Sequence, residues 1–428
     1  MLLTQTVRLK LSDTESGILK ELCHLSKNLF NVGLYTVRQY FFQERKYLSY
    51  ESAYHLVKEN ENYKLLATDC GQQTLKYVDR AFKGFFKLLE TRKQGIYQQR
   101  VELPKYLKKD GFFPLIIPIR ARQDFAKDGW RFLIPTSRQF RRERGSVHVT
   151  VTERIRDKRI KEIRVLPKQS GRFFDCTFVY EVNEDVLVKT QPTRAIGIDF
   201  GLDNLCAVVS TTGDAFLIDG KPLKSINQWF NKRIAHLRYH KDKQGIKGIT
   251  RQEAWLSYRR SNQVRDYLNK TARYIVNFCV QNQIGKIVAG YNPTLKQSVN
   301  MGTRNNQNFT DLPIFTLKDK LKSLCERTGI EFIEQEESYT SLASFLDGDA
   351  LPVYNADNPV TAKFSGKRVK RGLYRTRGGH LINADCNGAA NILRKSNREL
   401  DFGRLDRVCL TQPARVRILQ ESPVTASA

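Results

Sequence analysis

Apolar and polar residues are spaced in different ways along the chain, and each spacing predicts a different structure. Thr4–Leu11 alternates polar and apolar residues, which predicts a β-strand. Between Asp13 and about Gln94 apolar residues recur every three or four positions, as in amphipathic helices. Residues 101–182 contain short apolar stretches separated by turn residues, which predict several strands. After a polar linker at Glu184–Thr193, the pattern becomes an alternation of strands and helices.

The last predicted helix of the first block has one apolar face and one basic face. Its apolar stripe consists of Leu75, Val78, Phe82, Phe85 and Leu89. Its other side displays Lys76, Arg80, Lys83 and Lys87. A basic face above an apolar stripe suits a helix that lies along phosphates, although an ordinary solvated helix face has the same pattern.

Five strand candidates between residues 101 and 182 predict a small β-barrel. They are Leu115–Ile119, Trp130–Ile134, Ser146–Thr152, Ile160–Val165 and Phe173–Val182. Arg138–Lys168 is rich in Lys and Arg, and basic barrels commonly hold single strands or nucleic-acid backbone. Since Thr4–Leu11 is alone ahead of the helices, we expect it to join the barrel, with the helices as an insertion.

The second half of the chain predicts an α/β domain that begins with an apolar run containing one acid, Asp199. The elements expected after it are a hairpin of Cys206–Ser210 and Ala215–Ile218, helices at Lys224–Lys243 and up to Asn282, a strand at Lys286–Gly290, a polar loop at Asn300–Asn308, a helix at Phe315–Thr328 and a strand from Glu331 to Glu334. Leu346–Gly379 has no clear periodicity, so we expect it to be irregular. The polar residues after Lys395 predict a loosely ordered tail.

The charge balance points to a polyanionic partner. The 428 residues include 72 Lys and Arg against 44 Asp and Glu, a net charge of +28. Nucleic acid is the expected partner of so basic a protein, and a membrane surface is the rival. No apolar run of about 18 residues is present and the N-terminus does not resemble a signal peptide, so we expect a soluble, cytoplasmic bacterial protein with no membrane partner.

Two aspartates in special settings predict a metal site. A carboxylate within a buried strand, as at Asp199, is costly unless it is paired or holds a metal, although a lone Asp is often only a strand-end residue. Asp385 lies just before a helical stretch far downstream. We expect these two carboxylates to meet and to hold Mg²⁺, a hard ion that prefers oxygen ligands.

The order of the predicted elements matches the ribonuclease-H-like fold, in which a two-metal site uses three or four carboxylates. The fourth strand would supply one of them, but Lys286–Tyr291 contains no acid. The next strand ends in Glu336 and Glu337, and neighbouring parallel strands lie about 4.8 Å apart, so either glutamate could reach the site. Alternation along the strand lets only one face the metals, and we favour Glu337. Both residues could instead be solvated strand-end acids.

Three segments together resemble the RuvC-like motifs of the TnpB proteins, the OrfB-type proteins of insertion sequences. They are GIDFGLDNL, EESYTS and LINADCNGAANI. The resemblance implies an RNA-guided DNA endonuclease related to type V CRISPR effectors, with Asp199 and Asp385 as its first and last catalytic acids. Guide RNA and double-stranded target DNA would be its partners, while the sequence indicates nothing about protein partners.

This resemblance also implies a domain order of mixed α/β and α+β character. We expect residues 1–12 and 96–185 to form a β-barrel wedge domain, 13–95 a helical recognition insert, and 186–395 a RuvC-like nuclease domain followed by a polar tail at 396–428. The basic residues expected to contact nucleic acid are Lys76, Arg80, Lys83, Arg259 and Arg260.

The chain departs from the family pattern at two places. The acid of the second motif is missing at IVAGYN, which resembles a branch whose glutamate has moved to EESYTS. The usual two C-x-x-C pairs are also absent, and Ser341–Ser344 stands where the first would be. We therefore expect no zinc and a basic insert, at about 342–379, that is stabilised by packing.

Three functions remain open at this stage. The first is a Mg²⁺-dependent, RNA-guided DNA endonuclease that cuts beside a short flanking motif, in a transposon or as a compact type V CRISPR-like effector. The second is a nuclease-dead, guide-directed DNA-binding repressor, which the missing second-motif acid favours and the two aspartates oppose. The third is a transposase that joins strands itself.

Overall fold

The computed structural model describes most of the chain and divides it into two compact units. The units are Met1–Glu184 with Gly248–Ala254, and Asp185–Lys247 with Trp255–Ala428. The described residues are 1–97, 99–119, 129–182, 188–201, 203–291, 313–353, 362–396 and 400–418. The predicted loop Asn300–Asn308 and the first part of the predicted linker, 184–187, lie outside these residues.

Four helices follow the first strand of the first unit. They are α1 (Asp13–Glu44), α2 (Tyr50–Val57), α3 (Glu61–Leu65) and α4 (Thr68–Lys93). A capping box starts α1, because Ser12 accepts the Glu15 N–H while the Glu15 carboxylate accepts the Ser12 N–H. α1 and α4 approach closely at Gly33, where a Cβ would lie 2.7 Å from Leu75 Cδ2. Leu75 is buried, as its place in the predicted stripe requires.

The strands of the first unit form two antiparallel sheets. The larger has the order β1 (Leu2–Arg8), β6 (Phe173–Glu181), β5 (Arg159–Lys168) and β2 (Leu115–Pro118). The smaller pairs β3 (Arg131–Leu133) with β4 (His148–Thr150). The opening strand therefore pairs with a strand more than 160 residues later, as expected for an insertion of the helices between them.

The expected closed β-barrel is not seen within the described residues. The four-stranded sheet there is open, with β1 and β2 at its edges. Part of the basic stretch Arg138–Lys168, ahead of the strand candidate Ser146–Thr152, is a helix that we did not predict, α5 (Arg138–Arg144). Ser137 caps it by accepting the Phe140 N–H, and Phe140 is buried beneath it. Because the rest of Arg138–Lys168 is rich in strand-forming residues, the sequence pattern did not indicate the start of this helix at Ser137.

A six-stranded mixed sheet is the centre of the second unit. Its order is β11 (Glu331–Glu336), β10 (Ile284–Tyr291), β7 (Gln191–Phe200), β8 (Asn204–Ser210), β9 (Ala215–Asp219) and β15 (Ala414–Val416). Only β8 runs antiparallel to its neighbours in this sheet. The helices are α6 (Lys221–Lys243), α7 (Arg251–Gln281), α8 (Ile314–Thr328), α9 (Ala384–Ser396) and α10 (Arg407–Thr411).

The two faces of β7 pack against two different hydrophobic cores. Ile196 and Ile198 pack with residues of α7 and α8 on one face. Ala195 packs with residues of α9 on the other face. Gly197 allows α9 to lie directly on the strand, since a Cβ there would be 2.3 Å from the Ala389 carbonyl oxygen. This close approach fixes the distance between the end of β7 and the start of α9.

Two expectations about the C-terminal part are wrong. The segment expected to be irregular, Leu346–Gly379, contributes two strands of a three-stranded sheet, β12 (Lys367–Lys370) and β13 (Leu373–Arg375), which β14 (Leu381–Asn383) completes. The tail is ordered over residues 400–418: β15 pairs with β9. Its apolar side chains Leu400, Leu405, Leu410 and Ile418 are buried. Short strands and scattered apolar residues carry too little periodicity to be predicted locally, and their pairing with distant segments forms them.

Candidate active site

Asp199 lies at the carboxyl end of β7, on the face covered by α9. Its Oδ2 is 2.9 Å from the point where a side chain on Gly388 would place its Cβ. Burial raises the pKa of Asp199 well above its usual range, and the nearby Glu337 and Asp385 carboxylates raise it further, while Arg368 acts in the opposite direction. Two of the acids singled out from the sequence, Glu337 and Asp385, therefore lie close enough to Asp199 to act on it electrostatically at one edge of the sheet.

Asp385 is held in the first turn of α9, where the helix dipole favours a negative charge. The Asn383 side chain accepts the backbone N–H groups of Asp385 and Cys386, at 3.0 and 3.1 Å, and so caps the helix. The Asp385 carboxylate itself accepts two hydrogen bonds, one from Asn204 Nδ2 at 2.7 Å and one from Arg368 at 3.3 Å.

Asn204 and Arg368 are site residues that the sequence analysis missed. Asn204 belongs to the GLDNL segment quoted above, five residues after Asp199, so its proximity in sequence to that acid could have signalled it. Arg368 was one of many basic residues in the insert, and nothing in the sequence separated it from the others. Its place beside Asp385 depends on the pairing of β12, β13 and β14.

Glu337 occupies space that a side chain on β10 would otherwise fill. In the parallel pairing of β10 with β11, Gly290 is opposite Gln335 and Tyr291 is opposite Glu336. Glu337 follows directly, and its Oε2 is 2.7 Å from the ideal Cβ position of Gly290. Gly290 stands where the second-motif acid was expected. The Glu337 carboxylate therefore occupies the space that a side chain at position 290 would fill.

Glu336 has a different environment. Its carboxylate accepts a hydrogen bond from Lys395 Nζ at 2.6 Å and another from the Ser338 N–H at 2.5 Å. Burial opposes ionisation, but these hydrogen bonds prevail and lower the pKa of Glu336. The Lys395 side chain is only 5% exposed and also donates to the carbonyl oxygens of Ser338 and Pro352. The negative charge of Glu336 thus neutralises the positive charge of the buried Lys395.

The donor set of this edge fits a hard divalent cation. The three acids offer only oxygen atoms, and a cation would relieve the repulsion that raises the pKa of Asp199. Gly290 and Gly388 keep side chains out of the space beside two of the carboxylates. Within the described residues, however, no three His, Cys, Asp or Glu side chains are already gathered as in a formed metal centre. The fit of a divalent cation to this site therefore rests on the oxygen donors and the negative charge of the three acids.

Asp347 connects three segments of the basic insert. Its Oδ2 accepts hydrogen bonds from Ser344 Oγ at 2.5 Å, from Ser365 Oγ at 3.2 Å and from the Arg377 N–H at 2.8 Å. Asp349 adds bonds to the N–H groups of Ser344 and Ser365, at 2.8 and 3.0 Å. Carboxylates therefore crosslink the segment where the family pattern has its cysteine pairs. Seven of the eight cysteines are buried as free thiols, and Cys409 is half-buried.

The basic residues proposed on α4 lie beside aromatic rings or acids of the first unit. Lys76 Nζ is 5.3 Å from the centre of the Tyr50 ring, and the Arg80 guanidinium is 4.8 Å from that of Tyr77. Lys83 is exposed and forms an ion pair with Asp79 at 2.8 Å. These contacts leave the basic groups at the surface.

The basic residues proposed on α7 lie in the second unit and contact α6. Arg259 lies near the indole rings of Trp229 and Trp255. Arg260 donates from Nε to Asn227 Oδ1 at 2.8 Å, and its guanidinium is 5.6 Å from the centre of the Phe230 ring. Arg260 is therefore partly engaged within the protein, whereas Arg259 is exposed.

The fold was first compared with those of solved protein structures. Cas12f1, solved in a complex with sgRNA and target DNA, superposes with a TM-score of 0.59 at 15% identity. The match covers 91% of this chain and 84% of that one. The chain therefore has the mixed α/β fold of a Cas12-type protein.

Sequence comparisons then show which proteins the chain is similar to. The model OrfB_IS605, described as a probable transposase, matches residues 177–295. The TnpB-like protein ORF457 of Acidianus two-tailed virus is 24% identical over 420 residues, which cover 92% of this chain and 86% of the relative. The chain is therefore similar to TnpB-like proteins, and the resemblance predicted from its motifs is confirmed.

Among the described residues, no helix combines the length and the apolar character that crossing a bilayer requires.

Proposed function

We propose that this protein is an RNA-guided DNA endonuclease that hydrolyses phosphodiester bonds of target DNA with Mg²⁺. The observation that carries the proposal is the convergence of Asp199, Glu337 and Asp385 at one edge of the sheet, where each of the other two raises the pKa of Asp199. A carboxylate whose ionised form is destabilised by neighbouring acids is expected where carboxylates are arranged to bind cations. The fold shared with Cas12f1 and the TnpB-like sequence support guidance by RNA.

The three carboxylates would hold the metal, and their neighbours would position them. When bound, Mg²⁺ supplies positive charge at the scissile phosphate and lowers the pKa of a bound water. Asn204 keeps one oxygen of Asp385 in a fixed direction through its 2.7 Å hydrogen bond. Lys395 holds Glu336 away from this role by engaging its carboxylate, which supports the choice of Glu337 as the third acid.

Basic surfaces would bind guide RNA and target DNA. The net charge of +28 supplies the electrostatic attraction to phosphates. Lys76, Arg80, Lys83, Arg259 and Arg260 are our candidates for these contacts. Base pairing by the guide would select the sequence, while the protein would recognise a short flanking motif and the shape of the heteroduplex. We further propose that residues 1–185 form the guide-binding part and that the protein acts in the cytoplasm.

Cleavage of a plasmid tests this proposal. RNA that co-purifies with the protein is sequenced, and a plasmid carrying a matching target is incubated with the complex and Mg²⁺. We expect cuts without strand joining, and no cuts with Asp199→Ala or Asp385→Ala, although both variants should still bind the target. Target binding without cleavage by the wild type would instead support the repressor, and joined products would support a transposase.

A further inference from the structure

Two tryptophans and one arginine form an exposed cluster on α6 and α7, here named the Trp platform: Trp229, Trp255 and Arg259. The Arg259 guanidinium carbon is 5.8 Å from the centre of the Trp229 ring and 5.2 Å from that of Trp255. Trp229 is 44% exposed and Trp255 is 43% exposed. Large aromatic side chains left in water next to each other indicate a surface that binds something.

The charge around the Trp platform selects the kind of partner. Helix α6 and the part of α7 from Trp255 onward contain twelve Lys and Arg but only two Asp and Glu. A polyanion with flat apolar faces complements this surface, because its phosphates meet the basic groups while its rings stack on the indoles. Nucleic acid has both properties.

Stacking on the indoles requires bases that are not already stacked. In a duplex each base is paired and lies between its neighbours, so its faces are covered. Single strands present free base faces, and aromatic side chains bind them with little sequence preference. The Trp platform therefore suits a single strand better than a duplex.

The place of the Trp platform relates it to the candidate active site. Tyr267 of α7 donates its hydroxyl to the carbonyl oxygen of Asp219, the last residue of β9. Because β8 runs antiparallel to both β7 and β9, Asp219 lies at the same edge of the sheet as Asp199. Helices rise about 1.5 Å per residue, so Trp255, twelve residues before Tyr267, lies about 18 Å further along α7, beyond that edge.

We propose that the Trp platform stacks unpaired bases of single-stranded DNA about 18 Å beyond the carboxylate edge of the sheet. Its role in delivering a strand to the acids rests on the endonuclease function proposed above, but the binding itself does not. One indole would stack on one base, and Arg259 would neutralise an adjacent phosphate.

Binding of fluorescent oligonucleotides to the full-length protein, without Mg²⁺, tests the proposal. The probes are a 20-nucleotide single-stranded DNA, the same backbone with abasic sites, the matching RNA and the matching duplex. We expect wild type to bind the DNA about 10-fold more tightly than the abasic strand, the effect of losing about one stacked base. The double variant Trp229→Ala with Trp255→Ala should lose this preference, while Trp→Phe at both positions should keep most of it.

A matched variant and a second readout keep the test specific. Tyr35→Ala removes an exposed aromatic side chain from α1 in the other unit, and it should leave the preference unchanged. The chain has three tryptophans in all, so stacking on two of them should quench much of the intrinsic fluorescence when the single-stranded DNA is added. Thermal unfolding of each variant shows that it is folded.

Four results would overturn the proposal. They are equal affinity of wild type for abasic and base-bearing DNA, an unchanged preference in the double Ala variant, a loss confined to RNA, and a loss of self-association without any change in DNA binding. The last would assign the Trp platform to a contact between two copies of the chain. Because no cleavage is measured, a failure of the proposed nuclease function leaves these outcomes unaffected.

Discussion

The Oε2 atom of Glu337 lies 2.7 Å from the point where a side chain on Gly290 would begin. Gly290 belongs to β10, and Glu337 directly follows the neighbouring parallel strand β11, 47 positions later in the sequence. The Glu337 carboxylate thus occupies space that a side chain on β10 would otherwise fill, as the displaced-glutamate hypothesis requires. This relationship distinguishes the two candidate glutamates and leads to the first prediction.

Glu337→Gln should reduce DNA cleavage about as strongly as Asp199→Ala, because the amide keeps the size of the side chain but removes the charge that would hold Mg²⁺. Glu336→Gln should leave cleavage largely intact but lower the free energy of unfolding by about 1 kcal/mol, since the buried Lys395 loses a charged partner. Plasmid cleavage and denaturant unfolding measure the two effects. The control is Glu331→Gln, an exposed acid at the start of β11. Cleavage that survives with both Glu336 and Glu337 changed to Gln would disprove the displaced-glutamate hypothesis.

Gly388→Ala should impair cleavage without preventing guide binding. The added Cβ would lie 2.9 Å from Asp199 Oδ2, so that carboxylate or the start of α9 must move. The matched control is Gly17→Ala, because the new Cβ in α1 has no neighbour within 4 Å and Ala favours the helix by about 1 kcal/mol. Cleavage rates of the two purified variants, each loaded with guide, make the comparison. Full activity of Gly388→Ala would show that the position of Asp199 is not critical.

Asp347→Ala should loosen the basic insert while the rest of the second unit stays folded. Its carboxylate accepts hydrogen bonds from three segments, and Asp349 joins only two of them, those of Ser344 and Ser365. Hydrogen exchange of the peptides that contain Ser344, Ser365 and Arg377 should become faster. Asp406→Ala, which removes a cap from α10, is a control that should leave those peptides unchanged.

The same carboxylate predicts a pH dependence. Desolvation raises the pKa of Asp347, but the hydrogen bonds from Arg377, Ser344 and Ser365 outweigh it, so the net pKa lies below the usual value. A depressed pKa in the folded state means that ionised Asp347 stabilises the insert above about pH 4 and that this contribution is lost as the pH falls further. Protection of the insert in wild type should therefore fall below about pH 4, and the change should be smaller in Asp347→Ala.

Elemental analysis of the purified protein should find no stoichiometric zinc. The chain has no C-x-x-C pair, and carboxylates and serines hold the segment where such pairs were expected. One zinc per chain that survives dialysis against a chelator would contradict this prediction.

Binding of guide RNA should weaken steeply as salt increases. With a net charge of +28, many phosphate contacts would release counterions, so the logarithm of affinity should fall linearly with the logarithm of salt concentration. Lys83→Gln should reduce the slope more than Lys64→Gln, because both lysines are exposed and form an ion pair, but Lys64 lies outside the proposed face. Affinity that does not change with salt would rule out the electrostatic model.

The sequence by itself determined the elements whose patterns are local. The stripe on α4 and most strands of both units follow from the spacing of apolar residues, since burial of one face imposes that spacing. The setting of Asp199 could be recognised because an acid within an apolar strand is costly without a partner.

The tertiary structure decided which distant residues meet. Asn204 and Asp385 are separated by 181 positions, and their hydrogen bond depends on the packing of α9 against Gly197. The last strand, β15, has only three residues and gains its stability from pairing with β9. The choice between Glu336 and Glu337 likewise depended on a buried lysine and a glycine on other elements. No local pattern encodes such contacts, because packing between segments far apart in the chain creates them.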